Sequence, residues 1–114
     1  MTPSQIVGEI YKERQLLAQI TQLLQQQAVE KANAEYKYNK ARGLAIQDFR
    51  AKGFGVNLCD SLAHGEEEVA QAKKDLSTIE SLYFTTRSRL ENIRADLVTL
   101  RVLLEVEKTM LKED

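Results

Sequence analysis

Residues 69–111 read VAQAKKDLSTIESLYFTTRSRLENIRADLVTLRVLLEVEKTML, and their spacing decides the fold. Positions 69, 76, 83, 90, 97, 104 and 111 are Val, Leu, Tyr, Leu, Leu, Leu and Leu. The interleaved positions 72, 79, 86, 93, 100 and 107 are Ala, Ile, Thr, Ile, Leu and Glu. Three- and four-residue steps alternate, which is the heptad pattern of a helix whose apolar seam faces another helix in a left-handed coiled-coil geometry. Negative charge at Glu66, Glu67 and Glu68 suits the first turn of this helix, where it meets the positive end of the dipole. The second helix is therefore expected over about 66–112.

Upstream lies the break Lys52-Gly53-Phe54-Gly55-Val56-Asn57, with the only tight glycine pair in the chain. Gly53 fits a left-handed helix C-cap. Asp60 or Ser61 is suited to cap a short helical turn that Gly65 ends or kinks, so the tip is expected over 53–65. Before the break, a first helix is expected over about 3–52. Thr2 is a good N-cap, Pro3 suits the first helical position, and Gln5 completes a capping box. The stripe Ile6, Ile10, Leu17, Ile20, Leu24 continues after Gln25-Gln26-Gln27 as Ala28, Ala34, Tyr38, Ala41, Ala45 and Phe49. A helix of this length reaches roughly 70 Å and needs a partner along much of it.

Two chains could pair along continuous helices, or one chain could fold back at Gly53–Gly65. The break leaves arms of similar length, which favours a long antiparallel two-helix hairpin, all-α and coiled-coil-like, forming one domain over 1–114. The rest of the composition agrees. The 114 residues contain one Pro and five Gly, too few breaks for a sandwich, barrel or α/β fold. One Cys and one His exclude a zinc finger or a disulfide scaffold. No run approaches the 18 or so apolar residues of a membrane span, and the first residues lack the pattern of a secretion signal. A cytoplasmic protein is expected, in the host cell if the chain is phage-encoded.

A two-helix seam cannot bury every apolar stripe. Val98, Val102, Leu103, Val106 and Met110 occupy a second face near the C-terminus, and Ile6, Val7, Ile10 and Leu16 lie opposite in a hairpin. Apolar strips of this extent mark interfaces. Self-association through the open end is expected, with Ile6, Ile10, Val98, Val102, Leu103, Val106 and Met110 at the contact. The alternative is a third helix made by a bent N-terminus within one chain.

The formal charge of −1 averages over unlike parts. Residues 31–52 carry six basic side chains (Lys31, Lys37, Lys40, Arg42, Arg50, Lys52) and two acidic ones, for a net +4. In a hairpin turning near Val56, the facing segment contains Lys73 and Lys74. Tyr36 and Tyr38 interleave with this belt, as in surfaces that combine stacking and charge on single strands. The simpler reading is a solvated helix surface, with Arg50 and Lys52 paired to Glu66–Glu68 across the tip. Catalysis has little support: His64 has no nucleophile beside it, and Cys59 reads as a small apolar filler. No cofactor and no metal is expected.

Lys40-Ala41-Arg42, the Gly53–Gly55 break and Leu90-Glu91-Asn92-Ile93-Arg94 stand in a helix–break–helix layout over residues 30–100. In this the chain resembles the UvsY-like recombination mediators of T-even phages. The resemblance implies a ring-shaped oligomer of helical hairpins that binds single-stranded DNA. It also implies a non-enzymatic accessory role: helping a RecA-like recombinase replace single-strand-binding protein. Lys40 and Arg42 match the family's DNA-contacting basic positions. Lys37, Tyr38, Lys73 and Lys74 join them by helix geometry. Gly43 follows the triplet where the family pattern leads one to expect a helix former. Two other classes stay open: a helical protein-binding adaptor or phage inhibitor of a host enzyme without DNA binding, and a structural coiled-coil piece of a larger assembly.

Overall fold

The computed structural model describes the backbone of residues 1–113 and the side chains of 1–112. Among the described residues it is an all-α helical hairpin of three helices: α1 (Pro3–Ala51), α2 (Val56–Gly65) and α3 (Glu67–Glu113). The chain divides into two compact units, one formed by Met1–Gln25 with α3 from Phe84 onward, the other by Gln26–Tyr83.

Both ends of α1 follow local chemistry. At its start the Thr2 amide donates to Gln5 Oε1 at 2.9 Å, and the Gln5 amide donates to Thr2 Oγ1 at 3.2 Å. This reciprocal pair satisfies donors that the first turn leaves unpaired. At its end Gly53 takes φ 93°, the left-handed conformation that a Cβ would disfavour. The Gly53 amide donates to the Arg50 carbonyl at 3.0 Å, and the Phe54 amide to the Phe49 carbonyl at 3.2 Å. These are the two bonds of a Schellman motif. Its accompanying apolar contact is also present: the Phe49 and Phe54 rings meet edge to face with centroids 5.8 Å apart.

In the first unit, Ile6, Ile10 and Ile20 of α1 form one buried cluster with Leu90, Ile93 and Leu97 of α3. Leu16, Leu17, Leu24, Leu100, Leu103 and Leu104 pack against it. The heptad thus holds along this arm, with polar Thr86 buried at one of its positions and Glu107 half-buried at another. Leu111 is exposed, so the seam ends before the last expected position.

Ile6 and Ile10, expected at a contact between copies, are buried within the chain itself, and Leu103 is half-buried. One stripe of α1 meets one stripe of α3, and whatever lies in that seam is no longer free for another chain. The rest of the expected interface stays open: Val98, Val102, Val106 and Met110 are 48–59% exposed. They follow one another at four-residue steps, a ridge of the kind that packs into a groove of a crossing helix.

In the second unit, Val69, Cys59 and Ala63 are fully or almost fully buried. The third helix of the fold arises here, and not from a bent N-terminus. Residues 56–65, expected as a tip with a short turn, form a ten-residue helix. Its N-cap is Gly55 in extended conformation, without a side-chain cap bond. Asp60 and Ser61 lie inside α2 and cap nothing, because the chain is already helical from Val56. Gly65 does end it, and Glu66 in extended conformation (ψ 136°) separates it from α3. Glu67 and Glu68 occupy the first turn of α3. Among the described residues no helix is long and apolar enough to cross a membrane.

Candidate nucleic-acid interface

The +4 segment of α1 lies in the second unit, and so do Lys73 and Lys74 of α3. The register between the arms is marked by Lys31, whose Nζ lies over the Tyr83 ring, 5.3 Å from its centroid. Nine residues further along α1 and nine back along α3 bring Lys40 level with Lys74. Lys37, Lys40 and Arg42 thus lie near the level of Lys73 and Lys74, while Lys31 lies nine residues away at Tyr83.

They do not share one face. The buried and half-buried positions Ala34, Tyr38, Ala41, Arg42, Ala45 and Phe49 mark the inner side of α1. At 100° per residue, Lys40 lies about 160° around α1 from Tyr38, on the outer surface. Tyr36, Lys40 and Leu44 are exposed on that outer side, and Lys37, also exposed, lies on the flank about 100° from Tyr38. Lys37 also borders an open hollow with Glu30, Asn33, Asp75 and Thr78 over a floor of Ala34, Ala72 and Ile79. On α3, Lys74 lies about 160° around from the seam residue Leu76. It therefore points away from α1, and the charges encircle the unit instead of lining a single groove.

Tyr38 and Arg42 turn the other way, toward α2. Arg42 donates from Nη2 and Nε to the same Asp60 oxygen, Oδ1, at 2.7 and 3.0 Å. One turn below, the Tyr38 hydroxyl lies 3.3 Å from His64 Nε2. Nδ1 of the same ring is 2.8 Å from the Asp60 carbonyl. With the proton on Nδ1 donated to that carbonyl, Nε2 accepts from the tyrosine. Two residues four apart on α1 are thus matched in antiparallel order by two residues four apart on α2. Arg42, expected to face Lys73 and Lys74, faces a carboxylate.

The hydrogen bond from Arg42 holds the Asp60 carboxyl below the ordinary carboxylate range, with desolvation working against it. The same bond, together with the charge of Asp60, raises Arg42 further. Both side chains stay accessible, Arg42 at 39% and Asp60 at 46%.

Among the described residues no ion pair engages Lys37, Lys40, Arg50, Lys73 or Lys74. Lys52 borders a hollow with Glu66, Glu67 and Glu68 but sits over the Phe49 ring at 5.3 Å instead of pairing with them. The expected neutralisation across the tip is therefore not formed. Cys59 is a buried free thiol, and its Sγ donates to the Phe54 carbonyl at 3.4 Å. Among the described residues no group of three His, Cys, Asp or Glu side chains is placed to hold a metal ion.

The α2 contacts were not anticipated from the sequence. Their signal is present in it: Tyr38 and Arg42 four apart on one side of the break, Asp60 and His64 four apart on the other. No protein-family model, no curated protein and no solved structure matches this chain.

Proposed function

We propose that this protein is a non-enzymatic accessory protein that binds single-stranded DNA through charge and stacking on the outer face of α1. The observation that supports this reading is the exposed set Tyr36, Lys37 and Lys40, with Lys73 and Lys74 at the same level of the hairpin and no acidic partner on any of these cations among the described residues. Unpaired cations release counterions when they meet phosphates, and an exposed tyrosine offers a base a stacking surface. Because the charges encircle the hairpin, each copy offers a few contacts, and a homo-oligomer adds them along one strand. The ridge Val98, Val102, Val106, Met110 supports such self-association. Assistance to a RecA-like recombinase against single-strand-binding protein rests on the resemblance at Lys40-Ala41-Arg42, Gly53–Gly55 and Leu90–Arg94.

The test is fluorescence anisotropy of labelled oligo-dT over a series of salt concentrations. Binding should weaken with salt by a slope of about 0.7 per phosphate contacted. Lys37→Ala with Lys40→Ala should lower that slope while leaving the helical signal intact. Binding that is absent at low salt, or indifferent to salt, overturns the proposal.

The Arg42–Asp60 pair favours a second reading, a helical adaptor that binds only protein, because it neutralises one of the two cations of the basic triplet. A complex with a host protein that forms without nucleic acid and survives nuclease treatment would support it.

A further inference from the structure

Of the cations expected to meet DNA (Lys37, Lys40, Arg42, Lys73 and Lys74), Arg42 is the one that the fold has already supplied with an anion among the described residues. Arg42 uses the donors with which a guanidinium takes a phosphate, Nη2 and Nε, and here both are drawn onto one carboxylate oxygen at 2.7 and 3.0 Å. The pair sits at the surface, so solvent and polyanions reach both partners. Asp60 is carried on α2, a ten-residue helix joined to α1 and α3 through Gly53–Gly55 and the Gly65–Glu66 break. The Tyr38–His64 contact is a second polar tie between α2 and α1. From this juxtaposition we infer that Asp60 is an internal competitor for the nucleic-acid backbone: its carboxylate occupies Arg42 until a phosphate displaces it, and this sets the affinity of the belt.

The inference rests on the proposed function and deepens it. Arg42 becomes a conditional contact, while the exposed Lys37 and Lys40, which hold no ion pair among the described residues, are available at all times. A strand that engages the lysines first gains the Arg42 contact only by breaking the Asp60 pair, and the released carboxylate then repels the strand. Both effects make wild-type binding weaker than the cation count suggests. A polyphosphate dense enough to reach both sides of α1 is favoured over a single phosphate group.

The experiment compares Asp60→Asn with Asp48→Asn, which removes the same charge from the same unit without touching Arg42. Oligo-dT binding of Asp60→Asn should tighten by about two- to fivefold, the scale of an exposed ion pair, and its salt slope should steepen by roughly 0.7, one added phosphate contact. Asp48→Asn should change affinity less and leave the slope alone. In an Arg42→Gln background the gain from Asp60→Asn should vanish. Equal effects of the two Asp→Asn changes, or a gain that survives Arg42→Gln, overturn the inference while leaving the proposed function standing. Absence of binding by wild type at low salt overturns both. A readout on wild type guards against a variant that fails to fold: titration with oligo-dT should move the Arg42 Nε–H and the Asp60 carboxyl carbon resonances together. Unmoved resonances at saturating oligonucleotide overturn the inference.

Discussion

Arg42 and Asp60, 18 residues apart in sequence, are joined by two hydrogen bonds to a single carboxylate oxygen, and this pair fastens the short helix α2 to α1. The bond from Arg42 keeps the folded carboxyl below the value of about 3.9 that an unconstrained Asp shows. Its contribution is therefore complete above about pH 4 and is lost as pH falls through the folded value. Loosening of α2 in acid should expose Cys59, which is fully buried on that helix. The rate of thiol reaction with 4,4′-dithiodipyridine, taken relative to a small free thiol at the same pH because the thiolate is the nucleophile, should rise below about pH 4 in wild type. In Asp60→Asn it should be already faster at neutral pH and lack that acid step.

Val69 sits at the start of the heptad and is 1% exposed, in the unit that holds Cys59 and Ala63. Val69→Ala should destabilise by about 1–3 kcal/mol through lost burial and a residual cavity. For a chain of this size that lowers the melting temperature by about 4 °C per kcal/mol. Thermal circular dichroism checks it. A change under about 1 °C would show that the site is not a packed core.

Neighbouring residues at the open end make a sharper contrast. Ile6 is 0% exposed and Val7 is 53% exposed. Ile6→Ala should cost about 2–5 kcal/mol, while Val7→Ala should stay within about 0.5 kcal/mol as a surface change. Urea titration of the two variants should separate their midpoints, and equal midpoints would contradict the packing of α1 on α3.

The ridge on α3 predicts a change in assembly without a change in fold. Val98→Asp with Val102→Asp adds charge at positions that are more than half exposed in the single chain. The helical signal should be kept, and sedimentation velocity should show a smaller species than wild type. A wild type that is monomeric at tens of micromolar, or a variant that sediments like it, would remove this ridge from the assembly.

Two glycines should respond in opposite directions. Gly53 holds φ 93°, so Gly53→Ala should destabilise by about 1–2 kcal/mol. Gly43 lies inside α1, and a Cβ added there would meet nothing within 4 Å, so Gly43→Ala should stabilise by up to about 1 kcal/mol. Melting temperatures measured side by side decide it.

What the sequence determined by itself is the local chemistry and the periodicity. The capping box at Thr2 and Gln5, the left-handed Gly53 and the buried heptad positions Val69, Leu90, Ile93 and Leu97 were all legible, because each depends on residues within one turn or one helix face. The tertiary structure decided what depends on azimuth and on pairs far apart in the chain. Net charge along a segment carries no direction around the helix, so the placement of Lys40 on the outer surface and Arg42 on the inner one had to come from packing. The extent of α2 was hidden for a similar reason. Val56–Gly65 lacks a side-chain cap and is too short to be stable alone, and it is helical because Cys59 and Ala63 are buried and Asp60 and His64 find partners on α1. Which apolar stripe closes the seam and which stays open was likewise decided by one helix meeting the other: Ile6 and Ile10 went inside, and Val98, Val102, Val106 and Met110 remained on the surface.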